Sequence, residues 1–309
     1  MKIPKAVGLG GLLVFLSILP TIGSPYSIVL LSNIFMYIVL TVSWVLFSAP
    51  TGYISLASAA FFGAGIYSAA VLSFKVPFVI IVAIGASVGF LLALFIGVLT
   101  LRLKGIYFAM FTFGFVELLL HFVLWYEANI TGTTGRVVMT LSNKEVYYLM
   151  LVLCVLLITV TYLVHRSRYG IALRSIGQNE IASEHVGVNV VKLKVITYAL
   201  SAAFVSAAGV IMATRWTYID PKIAFNPLYS FIPIFMAIFG GVRYLYGPII
   251  GAIVFTYLQE VLTTRFPYYY MLTFGLLMVL IIAYMPEGIT GIIRTLLKRK
   301  EVEAGHGLA

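Results

Sequence analysis

Charge is what this sequence has least of. Only 10% of its 309 residues are Asp, Glu, Lys or Arg, while 62% are hydrophobic, and mean hydropathy reaches +1.08. Soluble domains carry roughly 25% charge, so a soluble globule is excluded and a polytopic membrane protein is expected. Acidic residues are scarcer still, ten against twenty basic ones. Such an excess would suit nucleic acid, but the basic residues gather between apolar runs and at the two ends, as the positive-inside rule requires. No nucleic-acid partner is therefore expected; the partner that composition implies is membrane lipid. Cysteine is almost absent. The single Cys154 lies within an apolar run, which excludes a disulfide framework or a thiolate metal site within one chain. There is no Gly-x-x-x-x-Gly-Lys loop, no His/Glu metal spacing and no nucleophile elbow. No metal and no cofactor is expected on this chain, and no enzyme chemistry.

What is present is a series of apolar runs. Lys2 and Lys5 precede the first, Ala6 to Ile22, which no small-x-small cleavage site follows, so it reads as a helix rather than a signal peptide. The second covers about Ser27 to Ala49. From Gly52 to Ala70 small residues dominate, which lets helix backbones approach closely or the chain break and re-enter. Further runs cover Pro77 to Leu101, Ile106 to Trp125, Val146 to Val164 and Val195 to Trp216. Two shorter ones, Leu228 to Gly241 and Tyr246 to Leu262, flank a Gly/Pro-containing link and read as broken helices lining a cavity. The last, Tyr268 to Pro286, leads to the basic tail with Arg294, Lys298, Arg299 and Lys300. The expectation is an all-α transmembrane bundle of about ten spans with broken or re-entrant segments and both termini cytoplasmic. The neutral, Gly/Thr-rich stretch from Tyr126 to Glu145 then lies outside.

The one long polar interruption runs from Arg166 to Lys194. It carries Arg166, Arg168, Arg174, Lys192 and Lys194 against Glu180 and Glu184, a net charge of +3, and is expected in the cytoplasm. Its centre reads as a short helix. Asn179 can cap the first amides, Glu180 suits the positive end of the dipole, His185 lies in the last turn and Gly187 stops it. Ile181, Ala182 and Val186 then share one side, offered to a partner. The alternative is a connecting loop whose helix lies on lipid headgroups.

Within the spans, Glu117 is the clearest ionisable group, four residues before His121. Either it lines or organises a path through the protein, or it makes a structural hydrogen bond between helices. Glu260 lies near the end of its run and reads as interfacial. The glycines at 52, 63, 65, 240, 241, 247 and 251 permit close backbone approach, with helix packing as the default purpose.

Several ordered motifs resemble the second of the two permease subunits of branched-chain amino acid importers of the ATP-binding-cassette class. They include Gly52-Tyr53-Ile54-Ser55-Leu56 with Ala59 to Gly63, Leu101 to Met110 with Glu117, and Gly170 to Ile176 with Asn179 to Glu184. Gly187 to Lys194, Leu200 to Ala203, Gly240-Gly241 with Gly247 to Ala252, and Met285 to Gly291 continue the likeness over nearly the whole chain. The resemblance implies a single permease domain over 1–309, with a cytoplasmic loop at 165–194. Its coupling helix, Asn179, Glu180, Ile181, Ala182, Glu184, Val186 and Gly187, would dock on a cytoplasmic ATPase subunit. It also implies a homologous second permease, two ATPases that carry the ATP and Mg, an extracytoplasmic solute-binding protein, and a cell-membrane location. Path candidates are Gly52, Ser55, Tyr107, Thr112, Glu117, Gly240, Gly241 and Gly247. This chain departs from the family pattern at Arg243-Tyr244, in the loop from Thr131 to Arg136, and around Asp220-Pro221 and Phe225, which puts the solute in doubt. Urea, short amides or other amino acids are alternative cargoes, and an ion-coupled secondary transporter is the competing class. That class would need paired ionisable groups at mid-membrane, and only Glu117 with His121 comes near.

Overall fold

The structure is a computed structural model that describes residues 3–103, 105–269, 272, 273, 275, 276, 279 and 288–291. Most of the expected last span, Tyr268 to Pro286, and the basic tail lie outside the described residues, as do Lys2 and Lys104. Among the described residues the fold is all-α apart from one two-residue ribbon, β1 (Arg136–Val137) paired antiparallel with β2 (Tyr218–Ile219). The protein is a multi-pass membrane protein: six helical segments are long and apolar enough to cross a bilayer.

Capping residues set the helix bounds a little beyond the apolar runs. α1 covers Ile3–Ile22. α2 (Pro25–Thr51) starts on Ser24, whose hydroxyl accepts from the Ser27 amide, and stops at Gly52, whose φ of 74° is left-handed. A side chain would strain that conformation. Residues 52–57 are non-helical, and α3 (Ser58–Leu72) follows. α4 (Phe78–Thr100) and α5 (Ile106–Tyr126) are next, the latter continuing into a π-turn at Glu127–Thr131. α6 (Asn143–Arg166) opens with a reciprocal capping box between Ser142 and Glu145.

The polar interruption is more ordered than expected. Arg168–Gln178 forms a helix, α7, whose Leu173 and Ile176 are buried. Its glycines are packing positions rather than breaks, for a Cβ on Gly177 would strike the Pro50 carbonyl and one on Gly170 the Val164 carbonyl. α8 (Glu180–His185) is the short capped helix. Asn189 then accepts from the Lys192 amide and starts α9 (Val190–Ala213), so Lys192 and Lys194 belong to the first turns of a core helix and not to the loop. A single turn, α10 (Pro221–Ala224), precedes α11 (Leu228–Gly240), and α12 (Tyr246–Arg265) closes the series. The expected broken pair is thus half correct. α11 is short and preceded by an irregular stretch, whereas α12 is an uninterrupted helix of 20 residues.

α2 and α9 are the most enclosed of the candidate spans and α5 the least. The core is knit by small residues. A Cβ on Gly65 would meet the Ser206 backbone, one on Gly209 the Phe62 carbonyl, and one on Gly89 the Ser206 side chain, so α3, α4 and α9 touch almost backbone to backbone. The contacts define two ends. At one, α7 meets the end of α2 and Lys194 of α9 meets the end of α4. At the other, the ribbon joins the ends of α3 and α9 to the start of α6, through Ser73 to Met139 and Thr214 to Leu141.

Candidate functional site

α8 is six residues long, about 9 Å. Its ends are closed as the sequence predicts. Asn179 Oδ1 accepts from the Ala182 amide at 3.1 Å. At the other end Gly187 takes φ 89°, its amide bonds the Glu184 carbonyl at 2.9 Å, and the Val188 amide bonds the Ser183 carbonyl at 3.0 Å. That double closure is the Schellman arrangement. The helix sorts its side chains by face. Ser183 is buried against Ser175, with 2.7 Å between hydroxyls, while Ala182 and Glu184 are exposed and Ile181 and Val186 are 62% and 84% exposed. Two bare aliphatic side chains on a helix pinned from behind form a small apolar knob.

Glu180 does more than face the helix dipole. Its carboxylate pairs with the ammonium of Lys194, which is 1% exposed, and accepts from the Tyr53 hydroxyl at 3.0 Å. Lys194 Nζ also donates to the Leu101 carbonyl and to Tyr53 Oη, both at 3.2 Å, and lies 4.4 Å from the centre of the Tyr53 ring. A buried ammonium needs such a complete set of partners, because leaving it unpaired costs several kcal/mol. The pair joins α8 to the base of α9, the end of α4 and the start of the 52–57 linker. Sequence reasoning missed it because the two residues are fourteen apart and Lys194 counted simply as a loop charge. The Asn189 cap, which places Lys194 inside an apolar helix, is the signal that could have found it.

The linker is non-helical backbone within the bundle, and such backbone must be satisfied by protein. Thr112 Oγ1 of α5 accepts from the Leu56 amide at 3.0 Å, Trp44 Nε1 of α2 donates to the Ser55 carbonyl at 2.9 Å, and Ser55 Oγ lies 3.1 Å from Tyr198 Oη of α9. Ser230 of α11 donates to the Leu56 carbonyl at 2.6 Å and accepts from the Ala59 amide at 2.9 Å, capping α3 from another helix. Four helices therefore hold one short segment. Beside it lies a cavity of about 10 Å³, lined by Ser43, Ser48, Ser55 and Ser58 among others. The Ser43 and Ser48 hydroxyls have no partner among the described residues.

The path candidates separate into three places. Gly52, Ser55 and Thr112 belong to the linker cluster. Gly240, Gly241 and Gly247 form the tight contact between α11 and α12, where a Cβ on Gly240 or Gly247 would strike a carbonyl of the facing segment. Gly288 and Thr290 return to the same spot, the Thr290 hydroxyl donating to the Gly240 carbonyl at 2.9 Å. Tyr107 and Glu117 join neither group. Tyr107 is 70% exposed, and the Glu117 side chain is 40% exposed on α5, 3.9 Å from a still more exposed His121. At the ribbon end the buried Glu127 accepts from the Gly135 amide at 2.7 Å and from Arg136 Nε at 3.1 Å, fixing the Gly/Thr-rich loop.

Residues 26–282 match the family described as branched-chain amino acid transport system / permease component. The chain belongs to that family. Among the permeases it resembles is the high-affinity branched-chain amino acid transport system permease protein LivM of Salmonella typhimurium, 27% identical over 72% of this chain and 58% of the relative. LivM of Escherichia coli is 27% identical over 86% of this chain and 70% of the relative. The ribose import permease protein RbsC of Escherichia coli is 30% identical over 32% of each chain. The permease thus spans about three fifths of the length of the first of these relatives. No solved structure matches it.

Proposed function

We propose that the chain is the transmembrane permease subunit of an ATP-binding-cassette importer that moves branched-chain or similar amino acids. Two separate ATPase subunits carry the ATP and Mg, a homologous second permease completes the membrane part, and an extracytoplasmic solute-binding protein delivers cargo. The reading rests on one observation: α8 presents Ile181 and Val186 outward while Glu180 and Ser183 bind it to the bundle. An apolar knob with a stiff base is what a moving partner can push. Closure of the ATPases shifts α8, and the Glu180–Lys194 pair carries that shift to α9 and to the linker, alternating which end of the bundle is open.

In this reading the end with α7 and α8 is cytoplasmic, since the basic loop lies there. Ten spans with both termini inside are part of this reading, supported by the alternation of helix directions among the described residues and by Gly288 packing on Gly241 at that same end. The membrane is the cell membrane. An ion-coupled carrier is disfavoured, because its one candidate pair, Glu117 and His121, sits on the outer surface of α5. A sugar such as ribose is the second reading of the cargo, favoured by the similarity to RbsC.

The test is co-purification. Ile181→Glu with Val186→Asp, on side chains that touch little of the bundle, leaves the permease folded but removes bound ATPase and ATP-dependent uptake. Retained ATPase and unchanged uptake would sink the coupling assignment. Uptake of leucine, urea, acetamide and ribose by the assembled transporter decides the cargo.

A further inference from the structure

Near the ribbon end, between α2, α9 and α12, lies a cavity of about 370 Å³. That volume falls within the range of small-molecule sites, about 300–1,000 Å³. Two opposite charges line it, Arg215 just past α9 and Glu260 in the last turns of α12. They do not pair. Arg215 donates to Asn33 Oδ1 at 2.5 Å, and Glu260 accepts from the Tyr26 hydroxyl at 3.1 Å; no ion pair joins the two among the described residues. Each is thus braced by a neutral partner of α2 and kept from the other. Among the described residues the remaining four N–H groups of the guanidinium meet no acceptor, and the second Glu260 oxygen has no donor. Gln259 adds a buried carboxamide oxygen with no hydrogen-bond partner. The buried Met36, Tyr37 and Met212 supply the apolar wall.

Two unlike charges sharing a half-enclosed space normally collapse onto each other, since their attraction grows as water is excluded. Held apart, they complement a ligand that carries both signs. We propose that this cavity binds an α-amino acid as its zwitterion, the carboxylate on Arg215, the ammonium on Glu260 and Gln259 Oε1, and an aliphatic side chain against Met36, Met212 and Tyr37. Arginine reads a carboxylate with two parallel N–H bonds, and Glu260 with the Gln259 oxygen provides acceptors for the ammonium. Methionine walls adapt to branched side chains of slightly different shape. The inference rests on the importer reading above and adds to it where in this chain the cargo is recognised.

The test uses the complete transporter in liposomes, with saturating leucine-loaded solute-binding protein. Leucine uptake, ATP hydrolysis and the concentration of loaded binding protein giving half-maximal rate are measured together. Arg215→Gln and Glu260→Gln are each expected to lower leucine uptake at least about tenfold, while stimulated ATP hydrolysis and the half-maximal concentration stay within about twofold. Thr256→Leu, which enlarges the cavity wall and removes no charge, is expected to cut leucine uptake several-fold more than valine uptake, because one methylene is worth about 10–200-fold in an apolar pocket. That change in selectivity is independent of expression level, so it carries the test if a charge variant fails to assemble. Unchanged leucine uptake in Arg215→Gln and Glu260→Gln, or an unchanged leucine-to-valine ratio in Thr256→Leu, overturns the site and leaves the importer reading standing. A raised half-maximal concentration places these residues in receptor docking and also overturns the site. A wild-type transporter that carries ribose and no amino acid overturns the site together with the amino acid reading.

Discussion

The two ends of the molecule treat opposite charges in opposite ways. At the α8 end Glu180 and Lys194 are joined directly, with Tyr53 and the Leu101 carbonyl completing the shell around the ammonium. At the ribbon end Arg215 and Glu260 share a cavity and are each tied to a neutral side chain of α2. A joined pair stiffens what it connects. A separated pair keeps a space that a dipolar ligand can fill. Burial follows the same division, for Lys194 is sealed, whereas Arg215 and Glu260 are half-buried.

The sharpest way to break this comparison is Glu180→Gln. It leaves a sealed ammonium without its counter-charge, and stability is expected to fall by about 3–5 kcal/mol, read as thermal unfolding of the purified complex. Lys194→Ala is expected to cost less, because the Glu180 carboxylate it strands is nearer solvent. The double exchange Glu180→Lys with Lys194→Glu restores part of the loss if the pairing itself is what matters. Equal losses for both single variants with no recovery in the double would refute a paired role.

Thr112→Val tests the linker between the two ends. It removes the acceptor of the Leu56 amide and keeps the side-chain shape, so destabilisation of about 1–3 kcal/mol is expected from the stranded buried donor. Arg215→Gln is the complement. Because it breaks no direct ion pair among the described residues but gives up the bond to Asn33, unfolding is expected to move by about 1–3 kcal/mol, less than for Glu180→Gln, even as transport falls. A large drop in melting temperature would mean that this arginine is structural, and the contrast between the ends would disappear.

The smallest effect is one of access. A cysteine replacing Glu184 is expected to react with a membrane-impermeant maleimide only when the reagent reaches the cytoplasmic face, and one replacing Ser183, which is buried, to react slowly from either side. The native Cys154 is buried and contributes little background. Labelling of the Glu184 position from outside intact cells would invert the assigned orientation.

Much of the scaffold could be read from composition, because apolar runs long enough to span a bilayer leave little choice of structure. The runs from Ile106 and from Leu228 match their helices to within a few residues. The α8 knob was legible for a local reason: Asn179 and Gly187 cap a helix through bonds to their own neighbours. What escaped depends on contacts between segments. α7 was not predicted, and its Gly170 and Gly177 are explained only by the facing Val164 and Pro50 carbonyls. Glu260 reads as an interfacial charge until Arg215, 45 residues earlier in the chain, is seen across the same cavity. Glu117 stands apart on α5, where its side chain is 40% exposed and, among the described residues, its one ion-pair contact is with His121 of the same helix.

Lys194 is rooted in the second turn of α9, and α9 is meshed with α3 and α4 through glycines that leave no slack. In the proposed mechanism, torque applied at α8 would therefore enter at the axle of the assembly and not at its rim. Three helices would swivel as one piece around it, and a displacement too small to disturb any single contact can still change the shape of a mouth at the far end.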